Sequence, residues 1–160
     1  MSMKKGMVAV LSTITGAAIG ATAVFRTGND KMKKEKELDR KNDAILKLFS
    51  KWLSAKQKGK SLVQYFEENQ YKTIAVYGLH YLGECLVEEL KGSSVEVKYA
   101  IDRNADKIDT DVKMYRPDED LPEVDVVVVT PFYYFDEIDE MLFEKMDCPI
   151  VSIEDVIYEI

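Results

Sequence analysis

Hydrophobic positions follow three patterns along the chain, and each pattern predicts a different kind of structure. The first is an uncharged, mostly apolar run from Met7 to Phe25. The second covers residues 31–57, where apolar side chains recur at helical spacing among many charged ones. From Thr73 onward, short apolar runs alternate with amphipathic stretches, which indicates strands that alternate with helices.

The third region contains five predicted strands, each a short apolar run bounded by turn-forming or acidic residues. The run from Val124 to Thr130 (VDVVVVT) is rich in β-branched residues, as expected of a central strand that is covered on both faces. The predicted strands are Thr73–Tyr77, Val95–Ile101, Val112–Tyr115, Val124–Thr130 and Pro149–Ile153, and the predicted helices are Tyr81–Leu90 and Phe132–Met146, with a closing helical turn over Glu154–Ile160.

This alternation predicts a mainly parallel sheet with right-handed crossovers. We therefore expect residues 60–160 to form a small Rossmann-like α/β domain with five strands, equivalent to one nucleotide-binding half. One feature departs from that plan. The segment between Asp102 and Val112 is too short for a crossover helix, so we expect a loop or a degenerate turn there.

The uncharged run from Met7 to Phe25 is long enough to be a transmembrane anchor after a short basic tail, residues 1–6. A helix of this length spans roughly 28 Å, close to the thickness of the hydrocarbon core. Basic residues follow it closely, which favours a single-pass protein with its C-terminal domain in the cytoplasm. The alternatives are a signal peptide cleaved near Ala21–Ala23, followed by export, and a soluble helix.

Two features predict self-association. Gly16 and Gly20 have the small-xxx-small spacing that lets membrane helices approach closely. Residues 30–58 form a predicted basic linker helix in which Leu38, Ile45 and Trp52 recur every seven residues. This pattern fits a short coiled coil, although we favour an amphipathic helix that lies on the domain or on the membrane surface.

The end of the linker helix and the start of the next helix carry recognisable signals. Gly59 is expected to end the linker helix, and Ser61 with Gln64 forms a predicted capping box for a short helix that reaches Asn69. The side chains expected to be buried on that short helix are Leu62, Tyr65 and Phe66.

Charge is divided unevenly between the two halves of the chain. Up to Lys60 there are 14 basic and 5 acidic residues, whereas from Ser61 there are 8 basic and 24 acidic residues. An acidic domain repels the phosphate backbone, so we expect no nucleic-acid partner. The basic half is suited to anionic lipid headgroups. Cys85 and Cys148 could form one disulfide, but Cys85 falls on a predicted helix and Cys148 at a strand start, so we expect both to be buried free thiols.

The loop after the first predicted strand resembles a phosphate-binding turn. In the fingerprint G-x-G-x-x-G, Gly78 occupies the first glycine position and Gly83 the third, but His80 replaces the second. The missing glycine normally lets the backbone approach a pyrophosphate. The helix N-terminus still favours an anion, and the His80 imidazole can donate a hydrogen bond to a phosphate.

Three further residues are expected at the same edge of the sheet. Asp102 ends the second predicted strand, where a carboxylate can accept hydrogen bonds from ribose hydroxyls. Arg103, beside it, can contact a phosphate, and Thr130 ends the central strand. The sequence therefore predicts a site for NAD(P) or a nucleotide-sugar, against the alternative of a purely structural turn.

The stretch KTIAVYGLHYLGECLVEEL, with the strand that ends in IDRN, resembles the Rossmann-like domains of bacterial nucleoside-diphosphate-sugar epimerases, dehydratases and surface-polysaccharide proteins. The resemblance covers roughly Lys72 to Ile160. It implies that Gly78 and Gly83 belong to a phosphate loop, that Asp102 is the ribose carboxylate, and that the protein is accessory to cell-envelope polysaccharide metabolism.

The catalytic residues of that family are missing, because none of the nine tyrosines has a lysine four residues later. The single histidine also excludes a Ser-His-Asp set outside the loop. We therefore favour a binding module over an oxidoreductase or an epimerase. The alternative is a non-catalytic scaffold or interaction protein that keeps a vestigial nucleotide-binding fold.

Overall fold

The computed structural model describes residues 31–160. The predicted tail, the Met7–Phe25 segment, Gly16 and Gly20 lie outside the described residues. Within the described part of the chain, no helix is both long enough and apolar enough to cross a membrane. The chain divides into two compact units, with the boundary between Ile45 and Leu46. Of the first unit, residues 31–45 are described, and they are helical and mostly exposed.

The second unit, Leu46–Ile160, is an α/β domain with a five-stranded sheet in which every pair of neighbouring strands is parallel. The prediction of a mainly parallel α/β domain is confirmed. The described elements are α1 (31–57, which continues from the first unit), α2 (Leu62–Glu68), β1 (Thr73–Tyr77), α3 (Tyr81–Leu90), β2 (Glu96–Ile101), β3 (Met114–Tyr115), β4 (Val126–Val129), α4 (Phe135–Phe143), β5 (Ile150–Ser152) and α5 (Ile153–Glu159).

The sheet order is β3-β2-β1-β4-β5. Successive residues of a strand point to opposite faces, and the two faces of this sheet are covered by different helices. On one face, Ile74, Val76 and Val128 pack in a core with residues of α1, α2, α3 and α5. On the other face, Ala75 and Val127 pack with residues of α4. This three-layer arrangement is compatible with a Rossmann-like fold.

The last turns of α1 belong to the domain, because Leu48, Trp52 and Ala55 are buried. All three occupy heptad positions that are compatible with a coiled coil, Trp52 in series with Leu38 and Ile45 and the other two on the alternate position. Here, however, Leu48 and Trp52 pack in the chain's own core. For this part of α1 the amphipathic-helix interpretation holds. The predicted capping box of α2 is confirmed, since the Ser61 side chain accepts from the Val63 N–H and the Gln64 side chain from the Ser61 N–H.

Several predicted element boundaries are wrong. The strand predicted from Val112 begins only at Met114, because Val112 donates its N–H to the Thr110 hydroxyl in a turn. The strand predicted over Val124–Thr130 covers only Val126–Val129. The helix predicted from Phe132 begins with a 3-10 turn, Phe132–Tyr134, since Phe132 donates its N–H to the Thr130 carbonyl directly after Pro131.

Two smaller expectations also meet the structure. The segment after Asp102 contains a 3-10 turn, Ala105–Lys107, so the expectation of a degenerate turn in place of a crossover helix is confirmed. Both cysteines are free, as expected, but the expectation that both are buried is wrong. Cys148 is half-buried. Cys85 is exposed because it lies at the margin of the face of α3 that Leu82 and Leu86 bury.

Candidate functional site

The carboxyl ends of β1, β2 and β4 meet at one edge of the sheet. The chain leaves β1 towards β2 and β3 and later returns to β4 on the other side, so the order of connections reverses at β1. Tyr77 is paired with Ile101 on one side and with Val129 on the other. In open parallel sheets such a switch point is where ligands bind.

The structure brings three predicted site residues together at this edge. Gly78, Asp102 and Thr130 each directly follow one of the paired residues Tyr77, Ile101 and Val129. The Gly78 N–H donates to the Ile101 carbonyl at 2.8 Å, and the Thr130 N–H donates to the Tyr77 carbonyl at 3.0 Å. These residues are therefore neighbours because of the register in which the three strands pair.

Gly78 and Gly83 are required by the geometry of the turn. Gly78 has φ of +86°, and a Cβ there would lie 2.8 Å from Pro131 Cδ. A Cβ on Gly83 would lie 2.3 Å from the Gly78 carbonyl oxygen, a separation that real Cβ atoms do not adopt. Gly78 thus permits the turn and Gly83 lets α3 pack against it, as the first and third positions of the phosphate-loop fingerprint require.

His80 is the residue that directly precedes α3, and its side chain is exposed. Its backbone is extended, with φ of −115°, so this position does not need a glycine for conformational reasons. The imidazole makes no capping hydrogen bond to the helix, and it therefore satisfies none of the N–H groups of the first turn. The helix start keeps its donors and its positive partial charge at the switch point.

Thr130 has a different role from the one expected for a ligand-lining residue. It is 4% exposed, and its hydroxyl donates to the Gly78 carbonyl at 2.6 Å, with the Tyr77 carbonyl at 3.2 Å. The hydroxyl therefore links the end of β4 to the end of β1. Thr130 holds the Gly78 turn in place, and its side chain is not presented to solvent.

Asp102 and Arg103 lie beyond the end of β2. Asp102 is half-buried, and its Oδ1 accepts the Asn104 N–H at 2.8 Å in a local turn. A carboxylate has two oxygens, so this bond leaves acceptor capacity for a hydroxyl group. Arg103 is exposed. The pair places an acceptor and a cation one strand away from the Gly78 turn.

A second polar centre, absent from the predicted site, lies where α1, α2 and α3 meet. The Glu89 side chain is 7% exposed and accepts hydrogen bonds from Trp52 Nε1 at 2.7 Å and the Leu62 N–H at 2.8 Å. Ser61 Oγ lies 3.0 Å away and Lys56 Nζ 3.1 Å away. The signal for this centre was its spacing, since Glu89 follows Leu82 by seven residues on the apolar face of α3.

Burial and hydrogen bonding shift the pKa of Glu89 in opposite directions. Burial raises the pKa of its carboxyl, whereas the bonds from the Leu62 N–H, Trp52, Lys56 and Ser61 lower it, and together they hold the pKa below its ordinary value. The Trp52 indole, the Ser61 hydroxyl and the Leu62 N–H each have this carboxylate as their acceptor. The centre is therefore a closed junction that joins three helices.

A shallow surface depression follows β4 at the carboxyl edge of the sheet. It is lined by four aromatic residues and two carboxylates, namely Phe132, Tyr133, Tyr134, Phe135, Asp136 and Glu137. Tyr133 and Tyr134 are 41% and 43% exposed, so both rings contribute to the surface.

Comparison with known proteins adds no family assignment, because neither a protein-family model nor a curated protein matches the chain. Within residues 31–160, no group of three or more histidine, cysteine or acidic side chains is arranged to hold a metal ion. Function is therefore inferred from the geometry of the β1–α3 turn.

Proposed function

We propose that the domain binds the phosphate group of a nucleotide or nucleotide-sugar at the β1–α3 turn. The observation that carries this proposal is the start of α3, which lies at the switch point of a parallel sheet and has no side-chain cap from His80. Unpaired N–H groups and the helix dipole both favour an anion at such a position.

The neighbouring residues support the same ligand class. Asp102 offers an acceptor for a ribose hydroxyl, and Arg103 offers a cation for a phosphate, both at the end of the adjacent strand. The close approach of Gly83 to Gly78 supports the phosphate-loop interpretation of the turn. NAD(P) and a nucleotide-sugar are the two ligands of this class that the sequence resemblance favours.

The cellular role in this proposal comes from the N-terminal half. A membrane anchor over Met7–Phe25 would tether the nucleotide-binding domain on the cytoplasmic side, where it would serve a cell-envelope polysaccharide pathway as an accessory module. The basic composition of the chain up to Lys60 supports a position near anionic lipid. Self-association through Gly16 and Gly20 or through α1 is part of the same proposal.

Thermal unfolding of the full chain tests the binding proposal. NADH, a UDP-sugar and coenzyme A are each added at millimolar concentration, and the melting temperature is compared with that of the free protein. A ligand present at 100 times its Kd adds about 2.7 kcal/mol, which raises the melting temperature by about 5 °C or more. No shift with any of the three would contradict the proposal.

Two variants locate the binding within the turn. His80→Gly restores the second glycine of the fingerprint, so we expect stronger binding of a dinucleotide because the backbone then approaches the pyrophosphate. Asp102→Asn removes the charge beside the ribose and should weaken binding by about tenfold, the effect of roughly one charged hydrogen bond. Asp118→Asn, an exposed carboxylate after β3, is the matched control.

A second candidate is an interaction protein with a vestigial nucleotide fold. Two observations favour it: the Thr130 hydroxyl is occupied by the turn itself, and aromatic side chains are exposed after β4. This candidate predicts that Asp102→Ala keeps the function in cells, whereas removal of the anchor or of α1 abolishes it. The opposite pattern supports nucleotide binding.

A further inference from the structure

The last turns of α1 expose an apolar stripe on the side of the helix that faces away from the core. Leu46 and Leu53 are seven residues apart, two turns of helix, and they are 65% and 60% exposed. Leu48 and Ala55 each follow them by two residues, roughly 200° further around the helix, and both are buried. The two exposed leucines therefore point away from the domain.

The same segment carries a charge opposite to that of the rest of the domain. From Ser61 onward 24 acidic residues outnumber 8 basic ones, whereas residues 46–60 contain no acidic residue and five lysines, namely Lys47, Lys51, Lys56, Lys58 and Lys60. Glu89 neutralises only one of them, Lys56. Charges are screened over about 8 Å at physiological ionic strength, so a surface beside α1 experiences chiefly the lysines.

We propose that this face of α1, the two leucines with the surrounding lysines, docks on the surface of an anionic lipid membrane. Leucine side chains enter the boundary between headgroups and acyl chains, and neighbouring lysines extend their ammonium groups to the anionic headgroups. A second copy of the chain is the wrong occupant, because pairing this face with itself would bring two sets of lysines together.

This inference rests on the membrane location in the proposed function, and it is independent of the nucleotide site. Five residues, 26–30, separate the proposed anchor from α1, and they span at most about 18 Å. An inserted anchor would therefore hold the start of α1 near the lipid surface. The last turns of α1 and helix α4 cover opposite faces of the sheet, so docking through α1 would turn α4 away from the lipid.

Paramagnetic broadening of leucine methyl signals tests the docking. The full chain, with ¹³C-labelled leucine methyl groups, is reconstituted into nanodiscs that include a lipid with a gadolinium chelate on its headgroup. One set of discs is otherwise phosphatidylcholine, and the other is an equal mixture of phosphatidylcholine and phosphatidylserine. Each lysine near an anionic surface adds to the attraction, so we expect the Leu46 and Leu53 signals to be at least about twofold weaker in the anionic discs.

Two variants separate the docking face from apolar surface in general. Leu53→Gln removes one of the two leucines of the stripe, so the Leu46 signal should recover at least about half of its lost intensity in anionic discs. Phe143→Gln is the matched control, because Phe143 is an apolar residue of α4 that is 76% exposed on the other side of the sheet. This control variant should show the same Leu46 broadening as the unchanged protein.

Co-elution of the protein with the discs, without broadening of Leu46 and Leu53, would overturn the docking and leave the anchor standing. Equal broadening in both lipids, or equal effects of Leu53→Gln and Phe143→Gln, would also overturn it. So would methyl shifts of both leucines that grow with protein concentration in the absence of lipid, because they would assign the stripe to a second copy.

Two controls keep these outcomes decisive. The melting temperature of each variant is measured first, and the comparison of the two lipids decides the question even if Leu53→Gln does not fold. UDP added to the same samples tests the nucleotide site separately. Failure of the docking and failure of nucleotide binding are therefore distinguishable.

Discussion

Two polar regions of the domain, the Glu89 junction and the β1–α3 turn, use their hydrogen-bonding groups in opposite ways. At the junction the Glu89 carboxylate, with its side chain 7% exposed, accepts hydrogen bonds from the Trp52 indole and the Leu62 N–H and pairs with the Lys56 ammonium. At the turn the exposed His80 side chain makes no capping bond to α3.

The difference separates a polar group that stabilises the fold from one that can meet a ligand. A buried polar group with all its partners supplied by the protein contributes to folding and offers nothing to a ligand. A helix start at the switch point of a sheet, with its donors unclaimed by the side chain before it, offers a ready position for an anion. Changes at the junction should therefore alter stability, whereas changes around His80 should alter binding.

The largest expected effect breaks the turn itself. Gly83→Ala places a Cβ 2.3 Å from a backbone oxygen that cannot rotate away, so we expect a loss of about 3 kcal/mol or more in the free energy of unfolding. Urea denaturation measures it. Gly92→Ala is the control, because nothing lies within 4 Å of its Cβ position and the cost is limited to the strain of φ +72°, about 1–2 kcal/mol. Equal losses would show that the close approach is not real.

The next effect breaks the closed junction. Glu89→Gln replaces one acceptor oxygen with an NH₂ group that faces donors in need of an acceptor. We expect the free energy of unfolding to fall by about 2 kcal/mol. Glu88→Gln, the preceding residue, is the matched control, since its exposed pair with Lys91 contributes less than about 1 kcal/mol. Urea denaturation of both variants would contradict the account if Glu88→Gln were the more harmful change.

The junction should also depend on pH in a defined direction. The folded pKa of Glu89 lies below its ordinary value of 4.5, so the stabilisation it gives is complete above that value. It is lost as the pH falls through the lower, folded pKa. The stability difference between the unchanged protein and Glu89→Gln should accordingly be constant from pH 8 to pH 6 and shrink towards pH 3. A difference that grows on acidification would have the wrong sign.

A smaller effect is expected at the bridge between β1 and β4. Thr130→Val keeps the shape of the side chain but removes the donor to the Gly78 carbonyl, which should cost about 1 kcal/mol. Thr130→Ser restores the hydroxyl and should recover most of the loss in urea denaturation. If the serine variant were no more stable than the valine variant, the hydroxyl would have no role in holding the turn.

The sequence predicted the elements better than their ends. Periodicity identified α3, β1 and α2 with their observed bounds or within a residue, because each begins or ends at a strong local signal such as Gly78 or Ser61. The late start of β3 depends on a hydroxyl of Thr110 that turns the backbone, and the 3-10 turn after Pro131 depends on the preceding carbonyl. Neither contact has a periodic signature.

The candidate site shows the same division. Gly78 and Gly83 were predictable because their spacing is typical of a turn in which strand and helix backbones pack closely. In the structure a Cβ on Gly83 would lie 2.3 Å from the Gly78 carbonyl oxygen. The burial of the Thr130 hydroxyl was not predictable, because it depends on how β4 pairs with β1. Glu89 was missed because its partners are 27 to 37 residues away in the chain.

Amide chemical shifts of the β1–α3 turn test the central claim most directly. The full chain, labelled with ¹⁵N, is titrated with UDP and with uridine, which lacks the phosphates. The account predicts that UDP shifts the amide signals of Leu79, His80, Tyr81 and Leu82, and that uridine at the same concentration leaves them nearly unchanged. Shifts confined to other parts of the domain, or equal shifts with uridine, would contradict a phosphate site at the start of α3.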